Sequence, residues 1–156
     1  VPPVGGDTLF SDMGAAYDGL SDEIKSTIDG LSAEHDFMKS FGRTVPEDRK
    51  AETREMFPIV EHPIVVRHER TGRQLLYVNR NFVNKINGLP ETESRELLDH
   101  LCNQAATCEY QVRFRWEPDS IAFWDNRAVQ HYASSDYWPQ RRIMERASVI
   151  GTRPTA

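Results

Sequence analysis

The chain contains few cysteines, no long apolar run and no excess of positive charge. Cys102 and Cys108 are the only cysteines among 156 residues and match no metal-ligand spacing, so we expect reduced, structural thiols. No apolar run approaches the roughly 18 residues that span a bilayer, which predicts no membrane partner. The formal net charge is -5, and the 19 basic residues are interspersed with 24 acidic ones. That distribution argues against a nucleic-acid partner but leaves room for small anions at local arginine clusters.

The composition favours one soluble domain. With 38% hydrophobic residues the chain can bury one sizeable core, and we expect a single domain over residues 1–156. The first residues, Val1–Gly5, lack the charged-then-apolar layout of a signal peptide, so we expect a cytoplasmic protein. They are typical of an extended segment that continues an earlier part of a fold.

The N-terminal half predicts short amphipathic helices after one strand end. Ser11 and Ser21 are suited to cap two helices, the second of which would end before Gly30. The segment 31–41 is mixed in character. The segment 44–55 is charged and poor in apolar residues, which is typical of a mobile surface loop or a frayed helix that could act as a lid.

The C-terminal half predicts strands around one longer helix. Residues 63–68 and 74–78 are β-branched and apolar runs joined by a turn at 70–73, which predicts a hairpin. A helix should begin near Pro90 and bury Leu97, Leu98 and Leu101. Four further strands are predicted, over residues 110–116, 121–124, 129–132 and 142–150. In the first of them alternation should bury Tyr110, Val112, Phe114 and Trp116.

These elements predict an α+β fold, a β-sandwich or jelly roll with helices packed outside. The chain shows no internal repeat and no low-complexity segment.

The run from Trp124 to Ala133 and the run from Pro139 to Arg146 carry the most specific chemistry. His131 precedes Arg142 by eleven residues. A neutral imidazole can hold a metal, and a guanidinium can bind a carboxylate through two hydrogen bonds, so the pair suggests a metal and an acidic cosubstrate. Taken alone, a strand histidine is more often a packed core residue, and strand arginines are more often solvated.

These two runs, together with Gly5–Leu9, closely resemble the taurine dioxygenase family of non-haem iron, 2-oxoglutarate-dependent oxygenases. The resemblance implies a double-stranded β-helix (jelly roll), Fe(II) as metal, 2-oxoglutarate as cosubstrate, and O2. It implies a small anionic substrate, which is a sulfonate, a sulfate ester or a carboxylate. For a sulfonate such as taurine, hydroxylation beside the sulfonate would release sulfite and an aldehyde.

The resemblance also assigns roles to individual residues. It implies that His131 is a metal ligand, and that Thr8 and Arg142 bind the far carboxylate of 2-oxoglutarate. It implies that Arg146 binds the anionic head of the substrate, and that Phe41 and Phe82 line the substrate pocket; Trp124 matches a tryptophan near the iron. By period-two counting on a strand, Arg142 and Arg146 should share one face.

One half of the family's metal site is absent from this sequence. The family holds iron with two histidines and one carboxylate, the first two ligands being supplied by His-x-Asp or His-x-Glu. None of the five histidines is followed two residues later by Asp or Glu. We therefore expect the C-terminal portion of a longer enzyme, lacking the N-terminal strands of its jelly roll, and inactive by itself. Unpaired sheet edges would favour self-association into a homo-oligomer.

Two other functions stay open. The first is a non-catalytic anion-binding or interaction module that keeps Thr8, Arg142 and Arg146 but has lost the metal. The second is a structural β-sandwich in which the motif arises by chance.

Overall fold

The computed structural model describes residues 1–156 and contains eight short strands and five helices. The helices are α1 (Met13–Asp18), α2 (Asp22–Ile28), α3 (Phe37–Phe41), α4 (Lys50–Met56) and α5 (Glu91–Gln104), with 3-10 turns at Glu47–Arg49 and Cys108–Tyr110. The strands are β1 (Thr8–Asp12), β2 (Ser32–His35), β3 (Val60–Pro63), β4 (Val65–Arg67), β5 (Gln74–Leu76), β6 (Val83–Ile86), β7 (Gln111–Phe114) and β8 (Val129–Ala133). They form three separate antiparallel sheets that do not close into a barrel, in the orders β7-β1-β8, β3-β2-β6 and β4-β5.

Short polar side chains begin the N-terminal helices. Ser21 caps α2, as predicted, by accepting a hydrogen bond from the Ile24 amide. The prediction that Ser11 caps the first helix was wrong by one residue. Ser11 lies in β1, and Asp12 accepts hydrogen bonds from the amides of Gly14 and Ala15 instead.

The main core lies under α1 and α5. On α5 the buried residues are Ser94, Leu98, Leu101 and Cys102, so the predicted apolar face is confirmed for Leu98 and Leu101. Leu97 is only partly buried. The remaining members of the core lie in α1, α2, β2, β5 and β6 or in the segments next to the elements of the fold. They are Met13, Ala16, Leu20, Ile28, Ala33, Ile64, Leu76, Val78, Val83 and Ile86.

The predicted hairpin is confirmed. Strands β4 and β5 pair with Val65 opposite Leu76 and Arg67 opposite Gln74. The connecting turn is closed by a hydrogen bond from the Gly72 amide to the His68 carbonyl at 2.7 Å. Gly72 has a φ of +71°, a conformation that favours glycine.

Several predicted elements differ in the structure. Residues 121–124 and 142–150 form no strand. A strand needs a neighbour to pair with as well as an apolar pattern, and these segments have none. Their apolar side chains stay exposed, Phe123 to 94% and Ile150 to 98%. Residues 50–56, predicted as a loop or frayed helix, form the regular helix α4.

The predicted buried face of the strand at 110–116 is also only partly confirmed. Tyr110, Phe114 and Trp116 are half-buried, whereas Val112 is 61% exposed. Val112 lies on the outer strand of its sheet, where nothing in the chain covers it. No helix of the structure is both long and apolar enough to cross a membrane.

Candidate functional site

The candidate site is built on β1, the central strand of the sheet β7-β1-β8. In this sheet Phe10 is directly opposite His131, and Thr8 is opposite Ala133. Directly opposed residues project to the same face, as do residues two apart along a strand. Thr8, Phe10 and His131 therefore share one face, and Thr8 and His131 are diagonal neighbours roughly 7–8 Å apart.

Thr8 and Arg142, which lie 134 residues apart in the chain, are in contact. Thr8 is 4% exposed, and its Oγ1 accepts a hydrogen bond from Arg142 Nη2 at 3.3 Å. Arg142 Nε donates to the Gly6 carbonyl at 2.8 Å. The predicted partners are thus brought together, although residues 142–150 are not a strand.

Glycine at position 6 allows this approach. Gly6 has a φ of +72°, and a Cβ at this position would lie 3.0 Å from Arg142 Cδ and 2.9 Å from Pro2 Cγ. The turn is fixed from the other side by Asp136, whose Oδ1 accepts from the Gly6 amide at 2.9 Å. Arg113 joins Asp7 at 2.6 Å and Asp136 at 3.3 Å, so an ion-pair network supports the turn that presents Thr8.

Arg142 and Arg146 make no ion pair with a carboxylate, unlike Arg54, Arg113 and Arg127 in the same structure. A guanidinium that lies beside a buried hydroxyl and has no carboxylate partner is suited to bind an external anion. Thr8 and Arg142 thus form a contact pair in which the guanidinium has no carboxylate partner.

His131 lies on the face of the sheet that carries Thr8. Its ring centroid lies 5.2 Å from that of Trp124 and 6.3 Å from that of Phe10. His131 is an exposed residue of β8, but partial desolvation of its ring, and secondly the positive charge of Arg146, lower the pKa of His131 below its ordinary value. The neutral form has a nitrogen lone pair free for a ligand bond.

The iron of the family does not fit the residues present. No group of three or more His, Cys, Asp or Glu side chains is arranged to hold a metal ion. Even with the role that the resemblance implies, His131 would be only one of the three ligands that a non-haem iron site needs. His68 is no substitute, because its Nε2 lies 2.9 Å from Asp125 Oδ2 and its Nδ1 accepts from two backbone amides. The residues present thus do not form a complete metal site.

The turn that leads into β8 is held by Asp125. Its carboxylate accepts hydrogen bonds from the amide, Nε and Nη2 of Arg127 at 2.7–2.9 Å. These bonds, with the contact from His68, outweigh the effect of burial and hold the pKa of Asp125 far below its usual range. Sequence reasoning did not find this bracing role, although an Asp two residues before an Arg is a signal for such a turn.

Phe41 and Phe82 lie together, with ring centroids 5.9 Å apart, but in another part of the fold. They join Phe37 and Phe57 in an aromatic cluster beside the sheet β3-β2-β6. Phe82, Phe37 and Phe57 line a groove of about 310 Å³ there. None of the ring contacts of this cluster includes Trp124 or His131. The structure therefore places the predicted site residues in two groups.

Two polar features near these groups were not found from the sequence. Trp116 Nε1 donates to Thr8 Oγ1 at 2.9 Å. His35 and His62 pack edge to face at 5.0 Å, and His35 Nε2 and His62 Nδ1 are buried without a hydrogen-bond partner. No local sequence pattern predicts either feature, because each joins residues that are distant in the chain.

Comparison with known proteins identifies the family to which the chain belongs. A model of the taurine catabolism dioxygenase TauD, TfdA family matches residues 1–148. The chain is 37% identical over 150 residues to the alpha-ketoglutarate-dependent 2,4-dichlorophenoxyacetate dioxygenase of Cupriavidus pinatubonensis, covering 96% of this chain and 52% of that enzyme. It is 34% identical to the alpha-ketoglutarate-dependent sulfate ester dioxygenase of Pseudomonas putida, covering 98% of this chain and 53% of that enzyme. The chain thus spans about half the length of these curated relatives.

Two solved structures have a similar fold. The crystal structure of AAD-2 in complex with Mn(II) and N-oxalylglycine is 36% identical, with a TM-score of 0.83, and covers all of this chain and 62% of that one. A taurine dioxygenase from Burkholderia xenovorans is 37% identical, with a TM-score of 0.75, and covers 90% of this chain and 44% of that one. N-oxalylglycine is an analogue of 2-oxoglutarate, so the cofactor prediction is confirmed for the family. Matched over 148 of its residues, the chain belongs to the TauD, TfdA family of taurine catabolism dioxygenases, oxidoreductases that depend on Fe(II) and 2-oxoglutarate.

Proposed function

We propose that this chain is the cosubstrate-binding, C-terminal portion of a dioxygenase that hydroxylates a small sulfonate such as taurine with O2, releasing sulfite and an aldehyde. The observation that carries the proposal is the contact between Thr8 and Arg142 on the face of the sheet that also bears His131. In this proposal Thr8 and Arg142 bind the far carboxylate of 2-oxoglutarate, and His131 is one metal ligand.

The charges support binding of a dicarboxylate. Arg142 already donates to Gly6 and Thr8, which fixes the plane of its guanidinium, and it has no carboxylate partner of its own. Hydrogen bonds to charged groups contribute about 1.5–3 kcal/mol each, so a carboxylate bound by Arg142 and Thr8 gains affinity from a site that is already formed.

The substrate head group is assigned to Arg146. This guanidinium makes no ion pair with a carboxylate of the chain, so it is available to bind an external anion, and it lies fifteen residues after His131, the proposed metal ligand. The relatives are named for a sulfate ester and for an aryloxyacetate, and a further one for (S)-phenoxypropionate. We also propose that Phe41 and Phe82 line the apolar part of the substrate pocket. Their rings pack together with centroids 5.9 Å apart, in a cluster that makes no ring contact with His131.

We further propose that the chain by itself neither holds Fe(II) tightly nor turns over. One imidazole leaves two protein ligand positions unfilled and provides no carboxylate to balance the metal charge. The jelly roll would lack its N-terminal strands, which the exposure of Phe123, Val149 and Ile150 supports. The same exposed surface supports self-association.

Two titrations test these proposals. In the first, 2-oxoglutarate is added to the metal-free chain in a calorimeter. We expect saturable binding that Arg142→Ala abolishes and that Arg141→Ala, a change of the exposed neighbouring arginine, leaves intact. Equal binding by both variants would remove the assignment of Arg142.

In the second, Fe(II) is titrated anaerobically into the chain with 2-oxoglutarate. We expect no one-to-one site of micromolar affinity and no charge-transfer absorbance of an iron chelate. Their appearance would show that the chain holds iron after all.

A second candidate function is a non-catalytic anion-binding module, favoured by the lack of a three-ligand metal cluster. Binding of 2-oxoglutarate or taurine that Fe(II) leaves unchanged, even when a polypeptide with the His-x-Asp segment of a relative is added, would favour the module. Restored turnover in that mixture would favour the enzyme.

The single domain over residues 1–156 and a cytoplasmic location are further proposals. Cys102 and Cys108 are both free, which is typical of a reducing compartment.

A further inference from the structure

The hydroxyl of Thr8 has all of its acceptor capacity in use. A threonine hydroxyl has two lone pairs that can accept and one proton that can be donated. Trp116 Nε1 donates to this oxygen at 2.9 Å, and Arg142 Nη2 donates to it at 3.3 Å. Two donors occupy both lone pairs, so the Thr8 proton must point away from Trp116 and Arg142 and towards a third group.

We propose that Trp116 is a positioning residue for the carboxylate site. Its indole N–H fixes the orientation of the Thr8 hydroxyl, so that this hydroxyl donates its proton to an anion held by Arg142. This inference rests on the proposed function, because it names a determinant of the same 2-oxoglutarate site. Trp116 acts through Thr8 and does not itself touch the cosubstrate.

The fold holds Trp116 in place for this role. Phe114 is opposite Thr8 in the pairing of β1 with β7, and Trp116 lies two residues beyond the end of β7. The rings of Phe114 and Trp116 pack edge to face with centroids 4.8 Å apart. The indole is therefore anchored by an aromatic contact on one side while its N–H reaches Thr8.

The orientation matters because a free hydroxyl can turn its proton or its lone pairs towards a ligand. Lone pairs facing a carboxylate repel it, whereas a donated proton attracts it. With Trp116 and Arg142 in place, only the attractive orientation remains. Pre-organisation of this kind lowers the cost of ordering the site when the ligand binds.

The test is a double-mutant cycle on 2-oxoglutarate binding by the metal-free chain. Trp116→Phe removes the N–H and keeps an aromatic ring, and we expect binding about threefold to tenfold weaker, the value of one hydrogen bond. Trp138→Phe is the matched control, since Trp138 is 87% exposed, and it should bind as the unmodified chain does. In a chain that already carries Thr8→Val, Trp116→Phe should not weaken 2-oxoglutarate binding further. In a chain that carries Thr8→Ser, which keeps the hydroxyl, Trp116→Phe should again weaken binding.

The indole N–H signal gives a second measurement that needs no change at Trp116. The chain has three tryptophans, so a nitrogen-15 spectrum shows three indole N–H resonances. In Thr8→Val we expect the Trp116 resonance to move and its exchange with solvent to accelerate, while the Trp138 resonance stays in place.

The outcomes separate the two claims. Lack of 2-oxoglutarate binding by the unmodified chain would overturn the proposed function and the positioning role together. Three results would overturn the positioning role alone. They are unchanged 2-oxoglutarate binding by Trp116→Phe, an equal loss of binding from Trp116→Phe in a chain that already carries Thr8→Val, and a Trp116 indole resonance that Thr8→Val does not move.

Discussion

Acidification should destabilise the fold through His35, and the structure allows the size of the effect to be worked out. His35 lies on β2, is 9% exposed and has no hydrogen-bond partner for Nε2. Its ring stacks on Tyr77 at 5.5 Å and meets the ring of His62 edge to face. Burial, and secondly the charge of His62, lower the pKa of His35 from 6.5 to about 4.

The direction of the change in stability with pH follows from how many protons the folded and the unfolded chain bind. Below about pH 6.5 the unfolded chain binds a proton at His35 that the folded chain does not accept until about pH 4. Stability is therefore fully present above pH 6.5 and is lost as the pH falls through this window. The gap between the two pKa values corresponds to about 3 kcal/mol in total, of which about 2 to 3 kcal/mol is lost by pH 4.5.

Urea unfolding at pH 7.5 and pH 4.5 measures this difference. His35→Phe keeps a ring in the stack and removes the titrating group, so the change in unfolding free energy between the two pH values should shrink by about 2 to 3 kcal/mol. Comparison within one variant cancels the packing change. His100→Gln, on the exposed side of α5, is the control with one histidine fewer. Parallel pH profiles of His35→Phe and the unmodified chain would refute the reasoning.

Three further substitutions test the packing and the bracing contacts. Leu101→Ala, at a fully buried position, should lower the free energy of unfolding by about 2–5 kcal/mol in urea, and a loss under 1 kcal/mol would mean that this core is not packed as described. Arg54→Ala removes the hydrogen bonds to Asp36 at 2.7 and 3.1 Å, so limited proteolysis should cut within α4 sooner; an unchanged cleavage rate would show that the ion pair does not hold the helix. Arg127→Ala should raise the pKa of Asp125 towards its ordinary value and speed amide exchange at the start of β8, and unaltered exchange there would count against the bracing role.

The sequence predicted elements whose pairing is local and missed those that need distant partners. The hairpin of β4 and β5 and the helix α5 have their turns, caps and apolar faces in one continuous stretch, so periodicity suffices. The segments 121–124 and 142–150 have the apolar pattern of strands but no neighbour in this chain, and they stay irregular and exposed. Pattern gives the face of a strand, whereas pairing decides whether the strand forms.

The contacts of the candidate site at Thr8 also join residues that are distant in the chain, so local sequence patterns do not predict them. Family resemblance, not periodicity, joined Thr8 to Arg142, and the structure brings them into contact although the expected strand around Arg142 is absent. The contact of Trp116 with Thr8 spans 108 residues and has no local signal. Packing of Phe41 against Phe82 was likewise beyond the reach of sequence patterns, and so was its separation from the His131 ring cluster.

The most direct measurement of the central claim is a crystal structure of this chain grown with N-oxalylglycine. The carboxylate of the analogue that corresponds to the far carboxylate of 2-oxoglutarate should lie between the Arg142 guanidinium and the Thr8 hydroxyl, on the face that carries His131. An analogue bound elsewhere, or Thr8, His131 and Arg142 found on separate surfaces, would contradict the account.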